Sequence, residues 1–75
     1  MAMERFPIPA HSSLVGQTLA ESAFRARTGA LILSVRRGDA DIATPDPAFR
    51  LAALDVLTVV GQAEQLQAAG ELVRG

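Results

Sequence analysis

The sequence predicts a small α+β domain whose elements follow in the order β-α-β-β-β-α. Two short apolar runs, residues 30–35 and 56–60, lie close to glycines and are typical of strands. Two longer segments, residues 18–29 and 63–73, carry apolar side chains at helical spacing. Because strands and helices are interleaved without a long βαβ repeat, we expect a small mixed or antiparallel sheet with both helices on one face.

Local signals mark the first strand and the first helix. Residues 3–8 alternate weakly, and Pro7 has no N–H group to donate, so this strand is predicted at a sheet edge. Thr18 and Glu21 have the spacing of a capping box, in which each side chain bonds the backbone N–H of the other residue. Gly29 is expected to end the helix, because glycine takes the positive φ of a C-terminal cap without steric cost.

The rest of the chain predicts a hairpin, a last strand and a last helix. Residues 30–35 and 41–44 are the two strands of a hairpin that turns at Gly38. Residues 56–60 are rich in β-branched side chains and form the last strand, and residues 63–73 form the last helix. The side chains that we expect in the core of the sheet are Leu31, Leu33, Val35, Leu57, Val59 and Val60.

The length of the chain, 75 residues, corresponds to a single domain spanning residues 1–75. A chain of this size buries only roughly 60% of the surface that its unfolded form exposes, so its core is thin. No cysteine is present to form a disulfide or a thiolate metal site. If both faces of the central strand are apolar, the helices cover one face, and we expect a second copy of the chain to cover the other.

Charge and hydropathy exclude several classes of partner. The formal net charge is −1, and the seven basic residues, all arginines, form no single stripe, which argues against a nucleic-acid partner. The apolar runs are far shorter than the ~20 residues that span a bilayer, so no direct membrane insertion is expected. Residues 1–10 contain charges and two prolines and do not read as a signal peptide. The expected location is cytoplasmic.

A series of short motifs runs along most of the chain. They are Leu14-x-Gly16-x-Thr18-Leu19-x-Glu21, Arg27-Thr28-Gly29, Arg36-Arg37-Gly38, Pro45-x-Pro47-x-Phe49-x-Leu51, Asp55-Val56-Leu57, Val59-Val60-Gly61 and Glu64-x-Leu66. Their order and spacing resemble the C-terminal domain of RCK proteins (regulators of potassium conductance), also called the TrkA C-terminal domain. Two positions depart from that pattern: many members have asparagine and glycine where this chain has Thr44 and Leu54.

The resemblance implies a non-catalytic regulatory domain that senses a small ligand as a homodimer. The ligands that it implies are nucleotides, including cyclic dinucleotides, or divalent cations, and no cofactor is required. The implied partner is a membrane-embedded potassium channel or cation transporter, or its Rossmann-type regulatory domain. This chain has no G-x-G-x-x-G motif of its own, so it is either an excised module or a stand-alone subunit. The alternative is a structural dimerisation module without a ligand.

No catalytic set is recognisable in the sequence. His11 is the only histidine, and the serines next to it in a loop do not give the geometry of a nucleophile, a base and an orienting group. We therefore expect no enzymatic activity and no catalytic residue. Asp39, Asp41 and Asp46 form the densest acidic group, and with backbone carbonyls or a two-fold mate they are candidates for binding a hard cation. The alternative interpretation is that they are solvated turn residues.

Arg36 and Arg37 end the central strand, so their side chains point to opposite faces. We expect one of them to face solvent or Asp41 across the hairpin, and the other to reach a cleft between two subunits. An arginine in the cleft is well suited to bind an anionic ligand. The alternative role is a surface ion pair. The residues expected to line the same cleft are Ile32, Ser34, Ile42, Thr44 and Pro45.

Overall fold

The computed structural model describes residues 1–75 and has the predicted order of elements, with the first helical segment divided in two. The elements are β1 (Ala2–Pro7), α1 (Leu19–Ser22), α2 (Phe24–Thr28), β2 (Leu31–Arg37), β3 (Ala40–Ala43), β4 (Val56–Gly61) and α3 (Ala63–Arg74). The four strands form one sheet in the order β1-β4-β2-β3, and every neighbouring pair is antiparallel. The α+β class is confirmed. β1 lies at an edge of the sheet, as we predicted from the presence of Pro7.

The predicted helix over residues 18–29 breaks at Ala23, which has φ 49° and ψ 39° in the left-handed region. In a continuous helix the Ala23 N–H would donate to the Leu19 carbonyl. The Ser22 hydroxyl donates to that carbonyl instead at 2.7 Å, and the Ala23 N–H turns to the Ala20 carbonyl at 3.2 Å. The Leu19 carbonyl thus has the Ser22 hydroxyl as its partner at the point where the helix breaks. Gly29 ends α2 with φ 77°, as predicted.

A β-bulge in β2 decides which side chains of the sheet are buried. Ile32 lies opposite Val59 and Val35 opposite Leu57, which leaves Leu33 as an extra residue between the two pairs. Ile32 and Val35 therefore share the inner face of the sheet, against which α2 and α3 pack. The twelve buried apolar residues of the core are Phe6, Ile8, Leu14, Phe24, Ala30, Val35, Leu51, Leu57, Val59, Leu66, Ala69 and Val73.

The predicted sheet core is confirmed for Val35, Leu57 and Val59 only. Leu31 and Leu33 are 44% and 37% exposed, because the bulge turns them out of the core, and Val60 is half-buried on the outer face of the sheet. Strand register places Met3 beside Val60 and Val60 beside Leu31. These three residues form an apolar line across the outer face, which we call the outer strip.

Besides Ala23, two residues without the conformational freedom of glycine have positive φ: Thr44 at 41° and Leu54 at 70°. These are the two positions at which the resembled family has asparagine and glycine. Both of those residues tolerate the left-handed region, whereas a β-branched threonine is disfavoured there. The family pattern at these positions is therefore explained by backbone conformation. Leu54 also leaves 76% of its surface exposed, so its side chain adds little packing in return.

Replacing Leu54 by glycine should stabilise the domain. Glycine relieves the left-handed strain but makes the unfolded chain more flexible, so we expect a net gain of about 0.5–1 kcal/mol in the free energy of unfolding. Urea denaturation measures the change. Leu54→Ala is the matched control, because it removes the exposed side chain and retains the Cβ atom that causes the strain. A glycine variant no more stable than the alanine variant would contradict this explanation.

Candidate functional site

The principal candidate site is an apolar groove of about 350 Å³ between the two short helices and the chain segment that follows β3. One wall consists of α1 and α2, the floor is the start of β2, and the second wall carries two prolines. The lining residues are Leu19, Ala20, Ala23, Phe24, Arg25, Ala26, Ala30, Leu31, Ile32, Pro45 and Pro47. We call this site the groove. Its helical wall is shallow because three of its residues are alanines.

Arg25 is the charged residue of the groove, and its side chain is exposed. It takes part in none of the three ion pairs of the domain, which join Arg36, Arg37 and Arg50 to acidic residues. The guanidinium of Arg25 is therefore available to an anion at the edge of an apolar surface. No motif in the sequence marks Arg25 as a binding residue. Its place in the groove depends on the helix break at Ala23, which no local pattern indicates.

Two other hollows are less suited to a specific ligand. The larger, about 570 Å³, lies between β1 and α3 and is bordered by Glu4 and Arg74 together with glutamines. The other, about 360 Å³, is lined by apolar residues and Arg74. It has only seven lining residues, against eleven in the groove, and the larger hollow includes the acidic residue Glu4.

Residues 44–51, which we call the proline segment, form the second wall of the groove and bond directly to α1. The N–H of Leu19 donates to the Phe49 carbonyl, and the N–H of Ala20 donates to the Pro47 carbonyl, both at 3.0 Å. These are two of the N–H groups that a helix start leaves without an internal partner. The Glu21 N–H donates to the Thr18 hydroxyl at 3.1 Å, which completes the predicted capping box.

The proline segment is held at its other end by Arg37 and Asp55. The Arg37 guanidinium donates from Nε to Asp55 Oδ1 at 2.8 Å and from Nη2 to Asp55 Oδ2 at 2.7 Å. The same Nη2 atom donates to the Arg50 carbonyl at 2.9 Å, and the guanidinium lies 5.0 Å from the centre of the Phe49 ring. We call the Arg37–Asp55 pair and these two contacts the clasp.

The charge of Asp55 is maintained against its burial. Its side chain is only 1% exposed, and burial alone would raise the pKa of the carboxyl. The hydrogen bonds from Arg37 and from the Ala52 N–H, at 2.9 Å, outweigh that effect, so the pKa of Asp55 lies below its ordinary value. The same ion pair raises the pKa of Arg37. The pair is therefore charged on both sides at neutral pH.

The residues predicted for a ligand cleft separate in the structure. Ile32 and Pro45 line the groove. Arg36 forms an exposed ion pair with Asp41 at 2.8 Å, as one of the sequence-based alternatives had it. Ser34 and Ile42 lie further along β2 and β3, where they pair with Ala43 and Val35. The ligand roles predicted for all seven of these residues stay predictions: Ile32, Ser34, Arg36, Arg37, Ile42, Thr44 and Pro45.

The candidate acidic residues are not gathered at one point. Asp41 pairs with Arg36, the Asp46 carboxylate accepts from the Ala48 N–H at 2.8 Å, and Asp39 lies in the turn between β2 and β3. Nowhere in the domain do three or more acidic or histidine side chains come together as metal ligands would. The sequence-based suggestion of a cation site there stays a prediction.

Comparison with protein families identifies the class of this domain. The chain belongs to the TrkA-C domain family, whose model matches residues 3–74. Comparison with curated proteins gives no match. None of the helices has the length and apolar character needed to cross a bilayer.

Solved structures share the fold over nearly the whole chain. The RCK_C domain dimer of S. agalactiae BusR, in complex with c-di-AMP, is 19% identical with a TM-score of 0.89, covering 97% of this chain and 96% of that chain. The RCK C domain of the potassium transport protein KtrA, also in complex with c-di-AMP, is 24% identical with a TM-score of 0.84, covering 93% and 80%. At these identities the likeness shows the fold.

Longer proteins contain a domain of the same fold. The GsuK channel is 29% identical over 97% of this chain with a TM-score of 0.83, but this chain spans only 13% of that one. A longer BusR structure, in complex with promoter DNA, is 20% identical with a TM-score of 0.84 over 95% of this chain, which spans 36% of that one. The same fold therefore occurs in a channel and in a protein in complex with promoter DNA.

The lowered pKa of Asp55 predicts that acid weakens the fold. The ordinary pKa of aspartate is about 3.9, so the stability that the charged form contributes is present above that pH and is lost as pH falls through the folded-state pKa. Asp55→Asn should lower the free energy of unfolding by about 2 kcal/mol at pH 7 and make it less dependent on pH below about 5. Urea denaturation at several pH values measures both effects.

The control for this prediction is Asp41→Asn, which breaks the exposed ion pair to Arg36 and should change stability by less than about 1 kcal/mol. An Asp55→Asn variant that loses stability in acid as steeply as the unmodified domain would show that another group causes the acid sensitivity.

Proposed function

We propose that this chain is a non-catalytic regulatory domain of a potassium channel or cation-transport system, and that its groove binds a small anionic ligand of the nucleotide class. The observation that carries the proposal is the apolar groove with Arg25 at its edge, in a domain of the TrkA-C family. The two relatives in complex with c-di-AMP support the choice of ligand class. No cofactor is needed for this function.

The chemistry of the groove suits a nucleotide. A nucleobase is flat and largely apolar, and it matches a surface formed by Leu31, Ile32 and two prolines, with Phe24 buried beneath. A phosphate carries negative charge and needs a cation, for which a guanidinium is well suited because it donates two parallel hydrogen bonds. Arg25 lies on α2 next to Phe24, so one ligand can contact both an apolar surface and a cation.

The size of the groove favours a site completed by a second subunit. Its volume of about 350 Å³ is at the lower end of the range for ligand sites, ~300–1,000 Å³, and the groove is open along one side. A two-fold symmetric dimer brings the same surface of two protomers together. We propose that two grooves face each other, so that a cyclic dinucleotide, which is itself two-fold symmetric, contacts one groove with each half.

The partner of the dimer is proposed to be a cytoplasmic part of a cation channel or transporter, or the Rossmann-type regulatory domain that serves it. The likeness to KtrA and to the GsuK channel supports a role in potassium transport. The likeness to BusR shows that the same fold also occurs in a protein in complex with promoter DNA. The seven arginines of this domain are spread over several elements, which favours a transport partner over DNA.

The alternative function is dimerisation without a ligand. The outer strip favours it, because Met3 and Leu31 are 61% and 44% exposed and Leu31 also borders the groove. A continuous apolar surface of this kind can be covered by a second subunit alone. Under this alternative, the charge of Arg25 has no ligand to contact.

Binding of cyclic dinucleotides, mononucleotides and divalent cations should separate the two functions. We expect one phosphate-containing compound to raise the melting temperature of the domain and to show saturable binding by titration calorimetry. Arg25→Gln should weaken that binding about tenfold, which corresponds to roughly 1.4 kcal/mol, the size of one charge-assisted hydrogen bond.

The matched control is Arg27→Gln, which removes the same charge from the same helix but at a residue outside the groove. It should leave affinity within about twofold, because only long-range electrostatics change. A folded domain that binds none of the compounds would favour the ligand-free dimer. Equal losses of affinity in the Arg25→Gln and Arg27→Gln variants would contradict the assignment of Arg25 to the site.

A further inference from the structure

We propose that Arg37 is a positioning residue for the groove, although it lies outside the groove lining. Arg37 is six residues beyond Leu31 on β2, a distance along the strand of roughly 20 Å at about 3.3 Å per residue. The inference is that the clasp holds the proline segment, that the proline segment holds α1, and that both walls of the groove therefore depend on one guanidinium. It rests on the proposed function only in treating the groove as a binding site.

The first step is the contact of Arg37 with the far end of the proline segment. One guanidinium bonds both oxygens of Asp55 and the carbonyl of Arg50, and it lies against the ring of Phe49. Lysine cannot make these contacts together, because an ammonium is a point charge without the planar fork that matches a carboxylate. Residues 49–50 and 55 are thereby tied to the end of β2.

The second step is the contact of the proline segment with α1. The carbonyls of Phe49 and Pro47 accept from the first two N–H groups of α1, and the N–H of Leu51 donates to the Gln17 carbonyl at 2.8 Å. The Arg50 side chain donates to the Gly16 carbonyl. The residue held by the clasp and the residues that support α1 thus belong to one short segment.

The third step connects α1 with the groove. α1 has only four residues, too few to be stable as an isolated helix, so its position depends on what its ends contact. Its Leu19 and Ala20 line one wall, and the same proline segment supplies Pro45 and Pro47 for the other. Weakening the clasp should therefore widen the groove or make its walls less ordered, although Arg37 itself does not contact a ligand.

Amide hydrogen exchange, followed by NMR on the ligand-free domain, tests the inference. Arg37→Lys should reduce protection of the Leu19 and Ala20 amides at least about fivefold more than protection of the β4 amides, because local and global opening are separate processes. The control is Arg36→Lys, which changes the neighbouring arginine in its exposed pair with Asp41 and should leave all of these amides within about twofold.

A uniform loss of protection in Arg37→Lys, or none at Leu19 and Ala20, would overturn the inference. If Arg37→Lys does not fold, Phe49→Leu serves instead, because it keeps the Arg37–Asp55 ion pair and removes the ring against which the guanidinium lies. It should give a smaller loss at the same two amides, and unchanged protection there would equally overturn the inference.

Ligand binding distinguishes this inference from the proposed function. If the unmodified domain binds a nucleotide, Arg37→Lys should weaken binding in proportion to the extra opening of α1. Adding Arg25→Gln to the Arg37→Lys variant should then weaken binding by a further factor of about ten, as it does in the unmodified domain. If the unmodified domain binds nothing, the proposed ligand is wrong, and the exchange experiment still decides whether the clasp positions α1.

Discussion

The carboxylate of Asp55 is buried and charged. The ion pair that offsets the cost of this burial determines the arrangement of the segments around it. Burying an unpaired carboxylate costs several kcal/mol, so Asp55 requires a partner with matching geometry. Arg37 provides it from the end of β2, and its Nη2 atom also donates to the carbonyl of Arg50. One ion pair therefore ties the sheet to a long connection that has no regular secondary structure. The position of α1 follows from that tie.

The groove results from three features that each lower the stability of the fold. The helix break at Ala23 gives up regular hydrogen bonding, Thr44 has an unfavourable φ beside Pro45, and the alanines of the helical wall leave apolar floor uncovered. Such costs are more common at sites that interact with other molecules than in a domain that only folds. The groove and the outer strip meet at Leu31, so a ligand and a second subunit can share one continuous surface.

Local patterns predicted most of the fold, because each depends on residues close in sequence. The capping box at Thr18, the cap at Gly29 and the edge position of Pro7 were all confirmed. The site was predicted less well. A bulge at Leu33 placed Leu31 and Leu33 outside the core, and the helical wall of the groove is broken at Ala23. Both are irregularities of the backbone, which periodicity does not reveal.

Native mass spectrometry of the domain with a cyclic dinucleotide reports the number of subunits and the number of ligands together, and so tests the shared ligand site. We expect a complex of two 7.9 kDa chains with one ligand, since two grooves complete one site. Ala26→Glu, which places a charge in the groove, should remove that complex. A monomer carrying one ligand would contradict the shared site, and a dimer that never carries a ligand would contradict the sensing function.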